Sequence, residues 1–372
     1  MVKKIHTIAS TAIVAIVLIA AVVVVLNQNP SEPAGQEPET QEIVDMAGRT
    51  VTVPTEVNRV VAICSGCLRV LTYMDAADLI CGVEEFEADP TGRPYAMAHP
   101  EYASLPVIGP GHGGDNELIA AQNPDVIFAS DARSPDFDAI QEQTGIPVVC
   151  IVYGGLDTEE EIQTFYDGLT LIGQVLHKED RATEVINYFS DIIDDLESRT
   201  SDIADSEKVS VYVGGLSSAG KHGIVSTNAY YAPFTLTNSK NVITDEMVDG
   251  STAVVSIDAE IIPSLNPDVM FIDHNGLSIC QSDVADHPDV YGNLDAIKNN
   301  CTYGVMGYNW YHLNYGVVLT DAYYVGSVLY PDQFSDIDPV EKADEIYNFL
   351  VGAPCYDGLA ELYAPFGPVS LR

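Results

Sequence analysis

A short stretch of sequence occurs twice in this chain, and the repetition constrains the fold more than any other feature. The segments are ELIAAQNPDVIFASD at Glu117–Asp131 and EIIPSLNPDVMFIDH at Glu260–His274, which lie 143 residues apart. Each predicts a short helix, a turn at Asn-Pro-Asp because proline cannot continue a helix, and a buried hydrophobic strand. Such a long spacing indicates duplication of a whole lobe rather than a solenoid repeat.

A second pair of segments supports the duplication. RVVAI at Arg59–Ile63 and KVSVYV at Lys208–Val213 each combine a charged residue with a β-branched strand, and each opens one half of the chain. Strands that alternate with helical patterns need crossover connections, which are typical of parallel sheets. We therefore predict an α/β fold of two lobes with mostly parallel sheets, an N-terminal lobe at residues 44–157 and a C-terminal lobe at residues 205–372.

The region between these lobes, residues 158–204, shows helical spacing of its apolar residues. Gly173 and the polar segment at residues 176–180 predict a break in the helix, followed by a second long helix that ends near Arg199. A rigid helical connector permits a smaller hinge motion than extended linkers would. We therefore expect a ligand cleft between the lobes that opens and closes modestly.

The N-terminal residues predict attachment to a membrane. Lys3 and Lys4 precede an uncharged apolar run from Thr7 to Leu26, which is long enough to cross a bilayer as one helix. Since no convincing cleavage site follows, residues 1–26 predict an uncleaved anchor in preference to a signal segment, and residues 27–43 predict a flexible acidic stalk. Lysines on the amino side predict that the rest of the chain lies outside the cytoplasm, at the cell surface.

The charge of the chain excludes one class of partner. Sixteen Lys and Arg residues against 55 Asp and Glu residues leave a net charge of −39. A field of that sign repels phosphate backbones and anionic lipids, so we expect no nucleic-acid binding. We interpret the acidic excess as solvated surface, which means that an anionic ligand would need local positive or neutral loops.

The chain holds seven cysteines, an odd number, so at least one has no partner within the molecule. Cys64 and Cys67 form a C-x-x-C pair, for which packing, a local disulfide, ligand contact and redox catalysis are alternatives. The sequence has no second such pair and no histidine at zinc-finger spacing, which argues against a structural zinc site.

Ligands of open parallel sheets bind outside the carboxyl ends of the strands, where loops converge. Aromatic rings in the loop at residues 308–312 could wall a bulky ligand, and the rare basic residues could pair with its carboxylate or phosphate groups. His112 and His274 could instead be ordinary surface or core histidines, and we assign no metal ligands. The candidate ligand-binding residues are Cys64, Ser65, Gly66, Arg93, His112, Asp131, Arg133, Tyr153, His222, Tyr230, His274, Tyr308, Trp310, Tyr311 and His312.

Known catalytic motifs do not accompany these candidates. The sequence shows no serine–histidine–aspartate order, nucleophile elbow, HExxH helix or paired-carboxylate motif. The glycine-rich loop at residues 109–114 matches neither a dinucleotide fingerprint nor a P-loop. We therefore predict a binding protein and not an enzyme, with a metal-dependent or redox enzyme as a lower alternative.

Several motifs resemble a known family. VDMAGRTVTVPTEVNRVVAI at Val44–Ile63, LPVIGPG at residues 105–111, the two NPDV segments and YVGSVLYPDQFSDIDP at residues 324–339 resemble the helical-backbone substrate-binding proteins of ABC importers for iron-siderophore, haem and cobalamin. The resemblance covers about residues 42–352. GRPYAMAHPE and NWYHLNYG are similar to segments of an archaeal-type iron-complex subset.

The resemblance implies two Rossmann-like lobes joined by one long helix, no intrinsic cofactor, and an ABC permease and ATPase as partners. It also implies that the loop at Cys64–Cys67 faces the cleft and that Glu84 or Glu85 contacts the permease. The ligand it favours is an iron(III) chelate of the siderophore type. Cobalamin or another corrinoid, haem, another metal complex and an oxyanion are alternatives, because a fold does not choose among them.

Overall fold

Two sheets, almost wholly parallel, organise the protein in a computed structural model that describes residues 39–372. The predicted anchor, and the stalk as far as residue 38, lie outside the described residues. The strands are β1 (Thr40–Val44), β2 (Thr50–Pro54), β3 (Val60–Ile63), β4 (Ile80–Gly82), β5 (Val126–Ser130), β6 (Val148–Ile151), β7 (Ser210–Gly214), β8 (Ser226–Thr227), β9 (Lys240–Asn241), β10 (Val255–Ser256), β11 (Val269–Asp273), β12 (Thr302–Val305) and β13 (Gly367–Pro368). The α-helices are α1 (Cys67–Tyr73), α2 (Pro94–Ala98), α3 (Asn116–Ala121), α4 (Phe137–Thr144), α5 (Glu159–Leu176), α6 (Glu179–Thr200), α7 (Ala232–Leu236), α8 (Ile261–Leu265), α9 (Leu277–Asp286), α10 (Pro288–Tyr291), α11 (Asp295–Lys298), α12 (Tyr315–Leu329), α13 (Pro339–Val351) and α14 (Tyr356–Tyr363).

The N-terminal lobe contains a four-stranded sheet of order β4-β3-β5-β6, in which every pair is parallel. All residues of β3, β5 and β6 are buried, as expected for strands covered on both faces. The C-terminal lobe contains a five-stranded sheet of order β13-β12-β11-β7-β9, parallel except for β13. The predicted α/β fold of two lobes is therefore confirmed.

The repeated Asn-Pro-Asp segments end a helix in the same way in both lobes. Asn123 and Asn266 have positive φ angles of 47° and 38°, a conformation that asparagine tolerates better than most residues. The proline that follows each asparagine cannot extend the helix. The strands β5 and β11 then begin one residue after each aspartate of the motif.

The aspartate of each repeat ties its strand to the neighbouring strand. Asp125 Oδ2 accepts hydrogen bonds from the backbone N–H groups of Asn58 and Arg59, at 2.8 and 2.9 Å, just before β3. Asp268 Oδ2 accepts from the N–H and hydroxyl of Ser210, at 2.9 and 2.7 Å, at the start of β7. The same side chain thus links the first two central strands of each lobe.

The connection between the sheets consists of the two predicted helices, α5 and α6. The Thr158 hydroxyl caps α5 by accepting from the Glu161 N–H at 3.2 Å. His177, with a φ of 52°, ends that helix, and the 22-residue α6 then leads towards β7.

A shared core joins the lobes. One hydrophobic cluster contains both Val60 and Phe271, from the central strands of the two sheets. The C-terminal helices also pack against the N-terminal lobe, since the Cys355 thiol donates to the Pro94 carbonyl at 3.5 Å. This continuous core restricts the motion of one lobe relative to the other. The limits of the lobes given from the sequence stay a prediction.

Candidate ligand-binding cleft

Two adjoining cavities, of about 550 and 500 Å³, open between the lobes. They share the lining residues Ser65, His112, Arg133, Asn309 and His312. Most of these side chains lie on loops that follow parallel strands, β3 and β5 in the N-terminal lobe and β12 in the C-terminal lobe. The two cavities therefore form one cleft at the carboxyl ends of both sheets.

The N-terminal wall is held together by hydrogen bonds between its loops. Ser65 Oγ lies 3.0 Å from His112 Nδ1, and the Ser130 hydroxyl donates to the Ser65 carbonyl at 2.8 Å. The Glu84 carboxylate accepts from the Gly113 N–H at 2.6 Å, which fixes the glycine-rich loop. Burial raises the pKa of Glu84 to about 7, although this hydrogen bond opposes the shift.

The burial of Glu84 corrects one prediction about the permease. With only 1% of its surface exposed, Glu84 is unavailable to a partner protein. Glu85, its neighbour, is exposed, so a permease contact there stays a prediction.

The C-terminal wall is the aromatic loop, Tyr308–His312. The Tyr311 ring stacks on Phe86 of the N-terminal lobe with ring centres 3.9 Å apart. His312 Nδ1 accepts from the Leu313 N–H at 3.0 Å, which assigns the proton of the neutral ring to Nε2. Although His312 is open to the cleft, the surrounding walls desolvate it and, together with the nearby charge of Arg69, lower its pKa to about 4.

Charged residues divide the cleft into two ends. The first cavity contains Asp157 and Glu161 besides the shared Arg133. Burial raises the pKa of Asp157 to about 6. The second cavity adds Lys221 and contains no carboxylate, so this end favours negatively charged groups.

Nine of the fifteen predicted ligand-binding residues line the cleft. They are Ser65, His112, Arg133, Tyr153, Tyr230, Tyr308, Trp310, Tyr311 and His312. The other six are Cys64, Gly66, Arg93, Asp131, His222 and His274, which line neither cavity.

Arg93 is the clearest correction. Its guanidinium is 1% exposed and forms a 2.8 Å ion pair with Glu87, while also donating to the Phe86 carbonyl at 2.6 Å. Arg93 thus stabilises the short helical turn beneath Tyr311 and does not line the cleft.

The first loop of the N-terminal lobe also differs from the prediction. The Cys64 thiol is buried, which raises its pKa to about 12, and all seven cysteines are free. A thiol with so high a pKa is a poor nucleophile and metal ligand, so packing is the reading that the structure supports for this pair. Gly66, at a φ of 86°, allows the Tyr153 ring to approach, because a Cβ atom there would lie 2.4 Å from the ring.

The three remaining candidates lie outside the cleft. Asp131 Oδ1 accepts from the Tyr153 N–H at 3.0 Å. His222 contacts the Ser218 carbonyl at 2.7 Å. His274 is buried, which lowers its pKa to about 4, so it is a neutral core histidine.

Sequence reasoning missed several polar residues of the cleft, including Asp157, Glu161, Ser218, Lys221, Asn228 and Asn309. It also missed Arg69, which lies buried behind the aromatic loop. A signal existed for this residue: Arg69 is the one charged side chain in CLRVLTY, the otherwise largely apolar helix α1. A lone charge in such a helix needs specific buried partners.

Comparison with known proteins identifies the family. The family model described as periplasmic binding protein matches residues 60–305. The chain belongs to this family. Membership confirms the predicted family and the prediction of a binding protein instead of an enzyme, and it implies an extracytoplasmic location. Such proteins bind a transported solute and hold no resident cofactor.

Two relatives illustrate how far the similarity extends. The molybdate-binding protein MolA of Haemophilus influenzae is 23% identical over 333 residues, which cover 82% of this chain and 89% of MolA. The petrobactin-binding protein YclQ of Bacillus subtilis is 22% identical over 317 residues, which cover 81% of this chain and 92% of YclQ.

Solved structures share the fold. MolA bound to molybdate superposes with a TM-score of 0.68 at 19% identity, covering 84% of this chain and 98% of MolA. The TroA-like protein FepB from Veillonella parvula gives a TM-score of 0.61 at 22% identity, covering 84% of this chain and 96% of FepB.

Residues 39–372 lack two features, a membrane-spanning helix and a metal-binding cluster. No helix in that part of the chain is long and apolar enough to cross a membrane. In the same range, no group of three or more His, Cys, Asp or Glu side chains is arranged to hold a metal ion.

Proposed function

We propose that this protein is the extracytoplasmic solute-binding component of an ABC importer and that its ligand is an anionic iron(III) chelate of the siderophore type. The protein would close on the chelate and deliver it to a membrane permease driven by an ATPase. The relationship to YclQ, a petrobactin-binding protein, supports this ligand class.

The observation that carries the proposal is the size and charge of the cleft. Cavities of about 550 and 500 Å³ are in the range that accommodates molecules of drug size. Arg133 and Lys221 face this space in a chain that has only 16 basic residues against 55 acidic ones. Two of the rare cations at one end favour an anionic ligand.

The side chains of the cleft also favour a metal that arrives already chelated. The described residues offer no cluster of three metal-ligating side chains. His112 and His312 have lowered pKa values, because burial disfavours their charged forms. As neutral rings, they can hydrogen-bond to the oxygen atoms of a chelator.

An oxyanion is a second candidate, favoured by the similarity to MolA over 82% of the chain. Ser65, Arg133 and Lys221 could donate hydrogen bonds to such an ion. The volume of the cleft argues for the larger chelate, because a four-oxygen anion would fill a small part of it.

The single tryptophan, Trp310, lines the cleft and gives a direct assay. We would titrate the purified full-length chain, in non-ionic detergent, with ferric catecholate, ferric citrate, a neutral ferric hydroxamate, haem, cobalamin and molybdate. Tryptophan quenching and thermal melting would be followed together. A ligand present at 100 times its Kd should stabilise the fold by about 2.7 kcal/mol.

A pair of matched variants tests the role of charge. Arg133→Gln should weaken the binding of ferric catecholate by tenfold or more, which corresponds to about 1.4 kcal/mol. Lys298→Gln removes an equal charge from an exposed position outside the cleft and should leave binding unchanged. If only molybdate binds, the oxyanion takes the place of the chelate as the proposed ligand. If none of these compounds binds, the proposal is overturned.

Attachment through residues 7–26 is part of the proposed arrangement at the membrane. The full-length chain should remain in the membrane fraction after alkaline carbonate extraction, whereas a chain without residues 1–26 should be released. Release of the full-length chain would contradict the anchor without affecting the ligand proposal.

A further inference from the structure

Arg69 is fully buried in helix α1 of the N-terminal lobe, yet its guanidinium reaches into the C-terminal lobe. It donates to the carbonyl of Leu313 at 2.6 Å and to those of Trp310 and Tyr311 at 3.1 and 3.3 Å. It also donates to the Tyr153 hydroxyl at 2.6 Å. One side chain therefore bridges the two walls of the cleft.

The backbone that Arg69 holds has an unusual conformation. Tyr311 and His312 are consecutive residues with positive φ angles of 51° and 74°, which are unfavourable for side chains of this size. Carbonyl groups on both sides of this turn accept hydrogen bonds from the guanidinium. The Tyr153 hydroxyl adds a further bond by donating to the Leu313 carbonyl at 2.8 Å.

Arg69 forms no ion pair with a carboxylate of the described residues. The buried acid nearby, Glu87, is bonded to Arg93 at 2.8 Å and to the Tyr95 hydroxyl at 2.6 Å. Neutral carbonyl and hydroxyl dipoles therefore solvate Arg69 without cancelling its charge. A cation buried in this way projects a stronger field than an exposed one, because water does not screen it.

We propose that Arg69 is a positioning residue of the binding site. It holds the aromatic loop against the N-terminal lobe in the conformation that lines the cleft, and its unpaired charge biases the cleft towards anions. This inference rests on the proposed function for its ligand, but its structural part applies to the ligand-free protein.

Two substitutions separate the geometric role from the charge. Arg69→Lys keeps the charge but cannot reach several acceptors with the planar fork of a guanidinium. Arg69→Gln removes both. In the ligand-free protein we expect both variants to increase acrylamide quenching of Trp310, because the loop loses its bonds. The pKa of His312, measured by NMR, should rise in both variants because the loosened loop is less buried, and it should rise further in Arg69→Gln, which also removes the nearby positive charge.

A third variant and a control address misfolding. Tyr153→Phe removes one hydroxyl of the network and should increase Trp310 quenching less than Arg69→Gln does. Arg181→Gln removes another guanidinium that donates to backbone carbonyls, those of Tyr73 and Phe349 at 2.9 and 2.8 Å, away from the cleft. It should lower stability without changing Trp310 quenching or the pKa of His312.

Ligand binding completes the test. We expect Arg69→Gln to weaken ferric catecholate at least tenfold, and a neutral ferric hydroxamate by a smaller factor. The inference would be overturned if Arg69→Gln left both Trp310 quenching and the His312 pKa unchanged. If only Tyr153→Phe folds, the same two unchanged signals in that variant would overturn it. If these ligand-free signals shift but no chelate binds the wild type, the proposed ligand is wrong and the positioning role stands.

Discussion

Asp273 should make the stability of this protein depend on pH. Its carboxyl group is completely buried at the end of β11, where Oδ1 accepts from the Asn275 N–H at 2.8 Å and Oδ2 has no partner in the structure. Burial raises its pKa from 3.8 to about 8, and the hydrogen bond from Asn275 opposes part of that shift. The folded protein therefore keeps this proton at pH values where the unfolded chain has lost it.

The sign and size of the effect follow from proton linkage. Between pH 3.8 and about 8, the folded state binds one more proton at Asp273 than the unfolded state does. The free energy of unfolding therefore falls as pH rises, by about 1.4 kcal/mol for each pH unit. From pH 5 to pH 7, this contribution amounts to roughly 3 kcal/mol.

The substitution Asp273→Asn should remove this dependence, because the amide keeps an acceptor for the Asn275 N–H and cannot ionise. Asp321 is also completely buried, and burial, with a smaller effect of the Asp273 charge, raises its pKa. Since Asp273 is itself protonated in the folded protein from pH 5 to pH 7, the contribution of Asp321 should be the same in variant and wild type. Urea unfolding of the full-length chain at pH 5, 6 and 7, followed by Trp310 fluorescence, measures the difference between variant and wild type.

The variant should gain stability relative to the wild type as pH rises, by roughly 3 kcal/mol from pH 5 to pH 7. Asp332→Asn, at an exposed position, should leave the pH dependence unchanged. A constant difference between Asp273→Asn and the wild type over this range would refute the reasoning, because it would mean that Asp273 ionises alike in the folded and unfolded chains.

Three further predictions concern the loops and the thiols. Gly66→Ala should lower the melting temperature more than Gly145→Ala does. Both glycines have positive φ angles, but only a Cβ atom at Gly66 would meet a ring, that of Tyr153. Equal losses would contradict this. Glu84→Gln should flatten the dependence of the free energy of unfolding on pH between pH 4.5 and 7, because the raised pKa of Glu84 makes stability fall with pH in that range. A slope identical to that of the wild type would count against a buried, protonated Glu84. The native protein should react with a thiol reagent at the partly exposed Cys301. After unfolding without a reducing agent, all seven cysteines should react, and fewer than seven would reveal a disulfide.

Local patterns predicted the fold well because the strands and helices are set by periodicity and by breakers. The NPDV segments lead directly into β5 and β11, and the break expected near residues 176–180 occurs at His177. The loops at the strand ends were predicted to line the cleft, and those carrying Ser65, Arg133 and Tyr308 do so.

The site was less predictable because the role of a basic residue depends on partners that are distant in sequence. The sequence predicts Arg93 as a ligand contact, whereas the structure pairs it with the buried Glu87. Arg69 lies in an apolar helix and binds carbonyl groups more than 240 residues away. No local pattern encodes such a pairing, although a single charge in a buried helix does signal that one exists.

The paired aspartates Asp125 and Asp268 have a consequence for how this architecture can be rebuilt. Because each one fixes the alignment of the first two central strands of its own lobe, neither lobe takes that alignment from the other. Chimaeras that exchange a complete lobe between relatives should keep correctly aligned sheets, provided that each lobe retains its aspartate. The lobes then act as interchangeable parts, and what must be matched at the junction is the shared core and the bridge made by Arg69.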